Sequence, residues 1–281
     1  MLFASTRHVA ECPDLGPECN LTPPKAPYVH HVNLFVNELS LDAAYGVAPW
    51  LAVEARLGLR IVKITPVYSE LDGTPKSVPN EIHHHDETLV GPTDPWLVLR
   101  AGGALGKLGT AARLGVSLPV GSTEPDPYIL ASEGKSHEHV QFGTGALVPI
   151  VGGGLSYSIA PVDLSLSGLA FFSLYENSKG FRAPSRWLAS TRATLPLAAG
   201  AWRPYVAADL THEGREVWHG TPGVEGTSRT ELLLGGGVSW EFAAPWRANL
   251  GLRVRTFRVS SGPSFDYPGI LQLGVSAHFG R

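Results

Sequence analysis

The sequence has little of several features that define other protein classes. Only two cysteines and one methionine occur among 281 residues, which excludes a disulfide framework and a multi-cysteine metal centre. Charged residues make up 17% of the chain, below the roughly 25% of ordinary soluble domains. The net charge of -3 leaves no basic excess for nucleic acid, so we expect no nucleic-acid partner. No apolar run approaches the roughly 18 residues of a membrane-spanning helix, so any membrane crossing must use strands.

Apolar residues instead recur at every second position over most of the chain. Between Leu51 and Ile61, leucine, valine and alanine occupy one face, while Glu54, Arg56 and Arg60 occupy the other. This period is that of a β-strand whose two faces meet different surroundings. The pattern predicts eleven strands, at residues 30–46, 49–69, 95–104, 108–119, 138–157, 161–176, 185–197, 201–218, 228–242, 246–260 and 268–280.

The connections between these strands alternate between short turns and long polar segments. Bacterial outer-membrane barrels combine short periplasmic turns with long extracellular loops. We therefore predict an all-β fold: a transmembrane antiparallel up-and-down β-barrel of about 12 strands, located in the bacterial outer membrane and surrounded by its lipid. A soluble lipocalin-like or sandwich protein is the competing interpretation, and it would have to bury the apolar faces.

Tryptophan placement favours the membrane interpretation. All seven tryptophans fall near predicted strand ends, where amphipathic rings meet the boundary between hydrocarbon and water. Four lie beside short turns (Trp50, Trp202, Trp240 and Trp246) and three lie where strands meet long loops (Trp96, Trp187 and Trp218). We expect two aromatic girdles. The last strand ends near Phe279, as in signals read by the barrel-assembly machinery, which we expect as a partner.

The odd number of predicted strands indicates a further strand at the N-terminus. Bacterial single-chain barrels have even strand numbers, so residues 2–9 are predicted to add a shortened twelfth strand to a single barrel domain over residues 1–281. The chain starts without an export signal, and we expect a mature or truncated form, or a start assigned too far downstream. Cys12 and Cys19 would then lie in the first extracellular loop, where an oxidising compartment permits a disulfide.

Three short motifs follow one another in the first half of the chain. Gly91-Pro-Thr-Asp94 precedes a strand hairpin, Leu118-Pro-Val-Gly121 follows it, and a glycine-rich segment runs from His137 to Gly145. This order resembles the outer-membrane transporter-like barrels grouped with the MetA pathway of phenol degradation. Those typically carry Gly-Leu-Gly-Asp at the first position, and Thr93 replaces the second glycine here. The resemblance covers mainly residues 33–175 and implies a barrel of about a dozen strands that passes small molecules.

The strand faces opposite the apolar band are charged, and we predict that they line the lumen. Arginine forks can bridge carboxylates across strands or line a path for anions. Two interpretations of the lumen are therefore possible: a lumen filled and closed by salt bridges, and a pore that weakly favours anions. The predicted lumen-lining residues are Glu38, Asp42, Glu54, Arg56, Arg60, Arg100, Arg113, Asp163, Arg192, Arg203, Asp209, Arg215, Glu231, Glu241, Arg247, Arg253 and Arg255.

Histidines concentrate at the predicted extracellular ends of strands. Alternation along the predicted strand 138–157 places His137, His139 and Gln141 on one inward face. Neutral imidazoles at convergent positions bind zinc or copper, helped by carboxylates such as Asp86, Glu87 and Glu138. We predict a transition-metal site at the extracellular mouth, against the alternative of ordinary loop histidines, and no other cofactor. Its candidate ligands are His30, His83, His84, His85, His137 and His139.

These features together predict a channel or transporter for small solutes, anionic or metal-associated, rather than an enzyme. Two alternatives stay open. One is an outer-membrane lipid hydrolase with a site on the rim, which would need a serine beside a histidine such as His31 or His139. No Gly-x-Ser-x-Gly motif marks such a serine. The other is a structural barrel whose lumen is closed by arginine and glutamate.

Overall fold

A computed structural model describes residues 1–9, 27–78, 82, 84–197, 201–223, 228–261 and 265–279. Its elements are β1 (Leu2–Val9), β2 (Val29–Ala48), β3 (Leu51–Ser69), β4 (Glu87–Leu105), β5 (Leu108–Ser117), α1 (Pro127–Ser132), β6 (Val148–Ile159), β7 (Val162–Phe171), β8 (Phe181–Arg182), β9 (Arg186–Thr194), β10 (Trp202–Glu213), β11 (Val217–Trp218), β12 (Thr221–Pro222), β13 (Arg229–Ala243), β14 (Trp246–Ser260) and β15 (Gly269–Ala277). Among the described residues no helix is long and apolar enough to cross a membrane.

Twelve strands form one closed barrel in the order β1-β15-β14-β13-β10-β9-β7-β6-β5-β4-β3-β2, and every pairing is antiparallel. The predicted fold class is therefore confirmed. Strand β1 closes the ring because Leu2 lies opposite both Val36 of β2 and Ile270 of β15. Tight turns join strands at one end, and the longer connections lie at the other. We take the tight-turn end as periplasmic and the other end as extracellular.

The outer face of the barrel is apolar and exposed. Leu57 of β3 and Leu252 of β14 are 56% and 52% exposed, which fits side chains that meet hydrocarbon rather than a protein core. Trp202 stacks on Trp240 with ring centroids 5.3 Å apart at the periplasmic end. The predicted periplasmic girdle therefore lies on the outer surface, together with the exposed rings of Trp50 and Trp246.

The predicted extracellular girdle is wrong for two of its three tryptophans. Trp187 is exposed on the outer face. Trp96, however, faces the lumen, where the Arg56 guanidinium lies 5.3 Å from its ring centroid. Trp218 is buried against Phe181 in a small sheet of order β12-β11-β8 outside the barrel. Both rings pack against protein: Trp96 packs against side chains of barrel strands inside the lumen, and Trp218 packs against Phe181 of an extracellular connection.

Apolar side chains fill part of the barrel interior at its extracellular end. Val32, Val62 and Ile64 point inward and bury Phe142, which comes from residues 133–147, here called the inward segment. Phe265 and Tyr267, between β14 and β15, pack into the same region. The interior is therefore narrowed by connections that fold into it.

Several predicted strand boundaries are wrong around these connections. The strand predicted at 138–157 begins only at Val148, because the preceding residues form the inward segment. Strand β4 begins at Glu87, earlier than the predicted 95. Strand β10 ends at Glu213, so the predicted strand 201–218 is divided between the barrel and the small sheet.

Candidate functional site: lumen and extracellular mouth

Most lumen charges on strands β2 to β5 are paired. Alternation places these residues on the face opposite the exposed leucines, and their partners lie on neighbouring strands. Arg56 Nε lies 2.5 Å from Asp42 Oδ1, and Arg60 Nη2 lies 2.8 Å from Glu38 Oε2. Nearer the periplasm, Glu54 accepts a hydrogen bond from Arg113 Nε at 2.8 Å and forms an ion pair with Arg100, whose Nε also lies 2.8 Å away. This wall is therefore held by cross-strand ion pairs.

The opposite wall, on strands β9, β10 and β13 to β15, repeats this pairing. Arg253 Nε lies 2.5 Å from Asp209 Oδ2, and Ser190 donates to the other oxygen of Asp209 at 2.5 Å. Arg255 pairs with Asp266 and lies 3.8 Å from Glu231. Further pairs on this wall are Arg247 with Glu241 and Arg229 with Glu213. Asp163 lies on β7, outside both walls, and accepts a hydrogen bond from Ser158 of β6.

Three lumen arginines have no carboxylate within ion-pair distance in the part of the chain that the structure describes. Arg186 lies over Phe171, and Arg192 lies 4.2 Å from the ring centroid of Tyr205. Arg203 faces the lumen beside Ser239, with Nε buried and without a hydrogen-bond acceptor among the described residues. Among the described residues, these three side chains add positive charge to the lumen that no neighbouring carboxylate neutralises.

The predicted lumen position of Arg215 is wrong. Strand β10 ends at Glu213, and Arg215 is exposed in the connection to β11. The chain leaves the barrel wall there to build the small sheet, so strand alternation no longer applies.

Two cavities follow one another from the extracellular end into the barrel. The outer one, about 310 Å³, is lined by Tyr128, Trp218, Arg229 and Phe265 among others. The inner one, about 390 Å³, reaches Glu38, Arg56, Arg60 and Trp96. The residues that line both are His139, Gln141, Pro184, Glu213 and Glu216. These five residues lie where the two cavities adjoin, a place here called the passage.

Asp94 fastens the inward segment to the barrel wall. One carboxylate oxygen accepts the backbone N–H groups of Val120 and Gly121, at 3.1 and 2.8 Å. The other accepts the backbone N–H and the hydroxyl of Thr144, at 2.7 and 2.8 Å. The Gly-x-x-Asp motif thereby joins the Leu-Pro-x-Gly motif and the glycine-rich segment into one structural unit.

Two glycines permit this close contact. A Cβ on Gly121 would lie 2.6 Å from the backbone carbonyl of Phe142, and one on Gly143 would lie 2.4 Å from the Asp94 carboxylate. Real Cβ atoms do not approach other atoms so closely, so any side chain at either position would force the segments apart.

Among the residues that the structure describes, no three of the predicted metal-binding histidines gather around one point. The rings of His30 and His84 lie 5.5 Å apart beside Tyr28 and Tyr68. His137 and His139 are ring neighbours at 5.3 Å, although no strand aligns them. His83, like Cys12 and Cys19, lies outside the described residues, so the metal ligand set and the disulfide stay predictions.

A different group forms where the inward segment meets the start of β4. His85 Nδ1 lies 2.9 Å from Glu138 Oε1 and 3.9 Å from Glu87 Oε1. Ser136 Oγ lies 3.3 Å from the other ring nitrogen, Nε2. Burial, together with the neighbouring Glu87 carboxylate, raises the pKa of Glu138 to about 7. The two carboxylates are therefore held closer than their charges favour.

A second carboxylate with a raised pKa lies in the passage. Burial raises the pKa of Glu216 above its usual range, although the Tyr128 hydroxyl, 3.1 Å away, donates to it and favours the charged form. Sequence reasoning did not identify Glu213, Glu216 and Arg229 as site residues. Glu216 was not predicted because it lies in a connection that folds back over the barrel, and strand alternation carries no information about such connections.

Similarity to one solved structure, the first of the two that follow, supports the fold. The chain is similar to the COG4313 outer membrane channel from Pseudomonas putida F1, with a TM-score of 0.57 and 13% identity over 99% of this chain and 92% of that one. It also matches OmpT, an outer membrane protein of Vibrio cholerae, with a TM-score of 0.39 and 10% identity over 98% and 95%. No family model and no curated protein matches at the sequence level. The chain thus has the fold of a bacterial outer-membrane β-barrel, as predicted.

Proposed function

We propose that the protein is a narrow outer-membrane channel for small polar solutes. The observation that carries this proposal is the pair of consecutive cavities that share five lining residues between the extracellular mouth and the lumen. The fold shared with an outer membrane channel supports the same class. So does the motif order around Asp94, on which we base a relationship to the barrels grouped with the MetA pathway.

The charges of the lumen favour small anions weakly. Most arginines are neutralised by carboxylates, so a strong field of one sign is not expected. Arg186, Arg192 and Arg203 add positive charge without an adjacent carboxylate among the described residues. Arginine rings are how pores favour anions, and three unpaired arginines give a weaker form of that selectivity.

Swelling of proteoliposomes tests this proposal. Vesicles containing the refolded barrel are expected to swell in small neutral or anionic solutes and to exclude large sugars. Replacing Gln141 by Ala, in the shared passage, should admit larger solutes, whereas Ser276→Ala near the periplasmic end should not. Vesicles that fail to swell in any solute, with either variant, would favour the structural barrel closed by its salt bridges.

A rim hydrolase is the second candidate, because Ser136, His85 and Glu138 stand in the order of a nucleophile, a base and an orienting carboxylate. The backbone N–H after the serine, that of His137, is donated to Ile82 and cannot stabilise an oxyanion. A fluorophosphonate probe should therefore leave the protein unlabelled. Labelling that disappears in Ser136→Ala would establish the hydrolase instead.

A further inference from the structure

We infer that His85, Glu87 and Glu138 form a binding site for a divalent transition metal ion, with zinc as the best fit, at the extracellular end of the barrel. The site uses none of His30, His137 and His139. It joins the barrel wall to the inward segment, and it does not depend on whether the barrel conducts.

The distances suit metal ligation. One atom from each of the three side chains can be chosen so that all lie within 4.8 Å of one another. Zinc bonds to nitrogen and oxygen are about 2.0–2.2 Å, which places the ligand atoms of a tetrahedral site roughly 3.3 Å apart. His85 Nδ1 and Glu138 Oε1, at 2.9 Å, and Glu87 Oε1, at 3.9 Å from the same nitrogen, straddle that value. Small side-chain rotations would complete the geometry.

The donor set also suits zinc. One imidazole and two carboxylates supply three ligands and leave a fourth position open for water. Imidazole favours zinc over magnesium or calcium, which prefer sites made of oxygen alone. Ser136 Oγ lies on the far side of the His85 ring, where it can accept the Nε2–H and hold Nδ1 free for the metal.

Glu87 supplies an independent indication. Its Oε1 is buried and has no donor within hydrogen-bond geometry in the described ranges while Glu138 is ionised, since the contact with Glu138 is a hydrogen bond only when one carboxyl carries a proton. A buried acceptor without a donor is costly, and a cation between Glu87 and Glu138 would satisfy it. The same ion would relieve the repulsion between two carboxylates that lie close together.

The direct test is a calorimetric titration of zinc into the folded barrel in detergent. We expect one zinc ion per chain in the unmodified protein and at least tenfold weaker binding in Glu138→Gln, Glu87→Gln and His85→Ala. The control is His278→Ala, which removes an exposed imidazole near the periplasmic end. Electrophoretic mobility before and after heating verifies that each variant is folded.

A second measurement tests whether the metal ion links the barrel wall to the inward segment. The Lys135 side chain is 63% exposed and precedes Glu138 by three residues, so trypsin cleavage after Lys135 should slow several-fold in zinc. The same zinc should have no effect on Glu138→Gln. Three results would overturn the site. They are an absence of zinc binding to the folded protein, a zinc affinity in the three site variants equal to that of the unmodified protein, and a loss of affinity in His278→Ala as large as in those variants.

Discussion

At the scale of single residues, Asp94 illustrates how one side chain can organise a lumen. Its four hydrogen bonds tie residues 120–121 and Thr144 to strand β4. Hydrogen bonds to a charged acceptor contribute about 1.5–3 kcal/mol each, more than neutral ones. The motif was visible in the sequence, but its role was not, because its three partners lie 26 to 50 residues away from Asp94 in the chain.

Replacing Asp94 by Asn should release the inward segment, because an amide has one acceptor oxygen where the carboxylate uses two. We expect trypsin cleavage after Lys135 to rise about tenfold, which corresponds to about 1.4 kcal/mol of lost local closure. Asp163→Asn, at the periplasmic end beside Ser158, is the matched control and should leave the cleavage rate unchanged. Equal rates in all three proteins would show that Asp94 does not hold the segment.

Glu216 predicts a pH dependence of stability. Burial raises the pKa of Glu216, so the folded state binds its proton more tightly than the unfolded chain does. Its contribution to stability is therefore greatest at low pH and is lost as pH rises from the usual carboxyl range, near 4.3, through the raised value. Glu216→Gln should flatten this part of the profile of thermal midpoint against pH in detergent. Parallel profiles for the two proteins would contradict the role of burial.

At the scale of elements, alternation correctly predicted the strands that separate lipid from a charged lumen, such as β3 and β14. It failed at residues 138–147, whose polar and apolar residues alternate as in a strand. Phe142 is buried there by Val32, Val62 and Ile64 on other strands. Such tertiary contacts override a local pattern, and no residue near Phe142 in sequence reveals them.

The orientation of strand β3 can be tested with adjacent residues. Leu57→Arg places a charge on the exposed apolar face and should cost about 2–4 kcal/mol in the free energy of folding into lipid. Arg56→Gln, on the lumen side, loses a half-exposed ion pair with Asp42 and should cost less. Denaturant titration of the refolded barrel in vesicles measures both. A larger loss for Arg56→Gln would invert the assignment of the two faces.

At the scale of the whole molecule, even strand number and closure through residues 2–9 followed from the sequence, because a barrel in lipid leaves its strand edges paired. The division of the lumen into two cavities did not follow from the sequence. The two cavities are lined by residues of the inward segment and by Glu213 and Glu216, whose placement alternation and composition do not encode. The proposed channel depends on these connections, since they supply lining residues of both cavities.

The conductance of single refolded barrels in planar bilayers tests the central claim most directly. The expected result is small discrete current steps and, under a salt gradient, a reversal potential shifted weakly towards the anion. Replacing Arg192 and Arg203 together by Gln should move that potential towards the cation, because both positive charges lack a neighbouring carboxylate among the described residues. A membrane that holds folded barrels and stays at its lipid baseline current would contradict the channel.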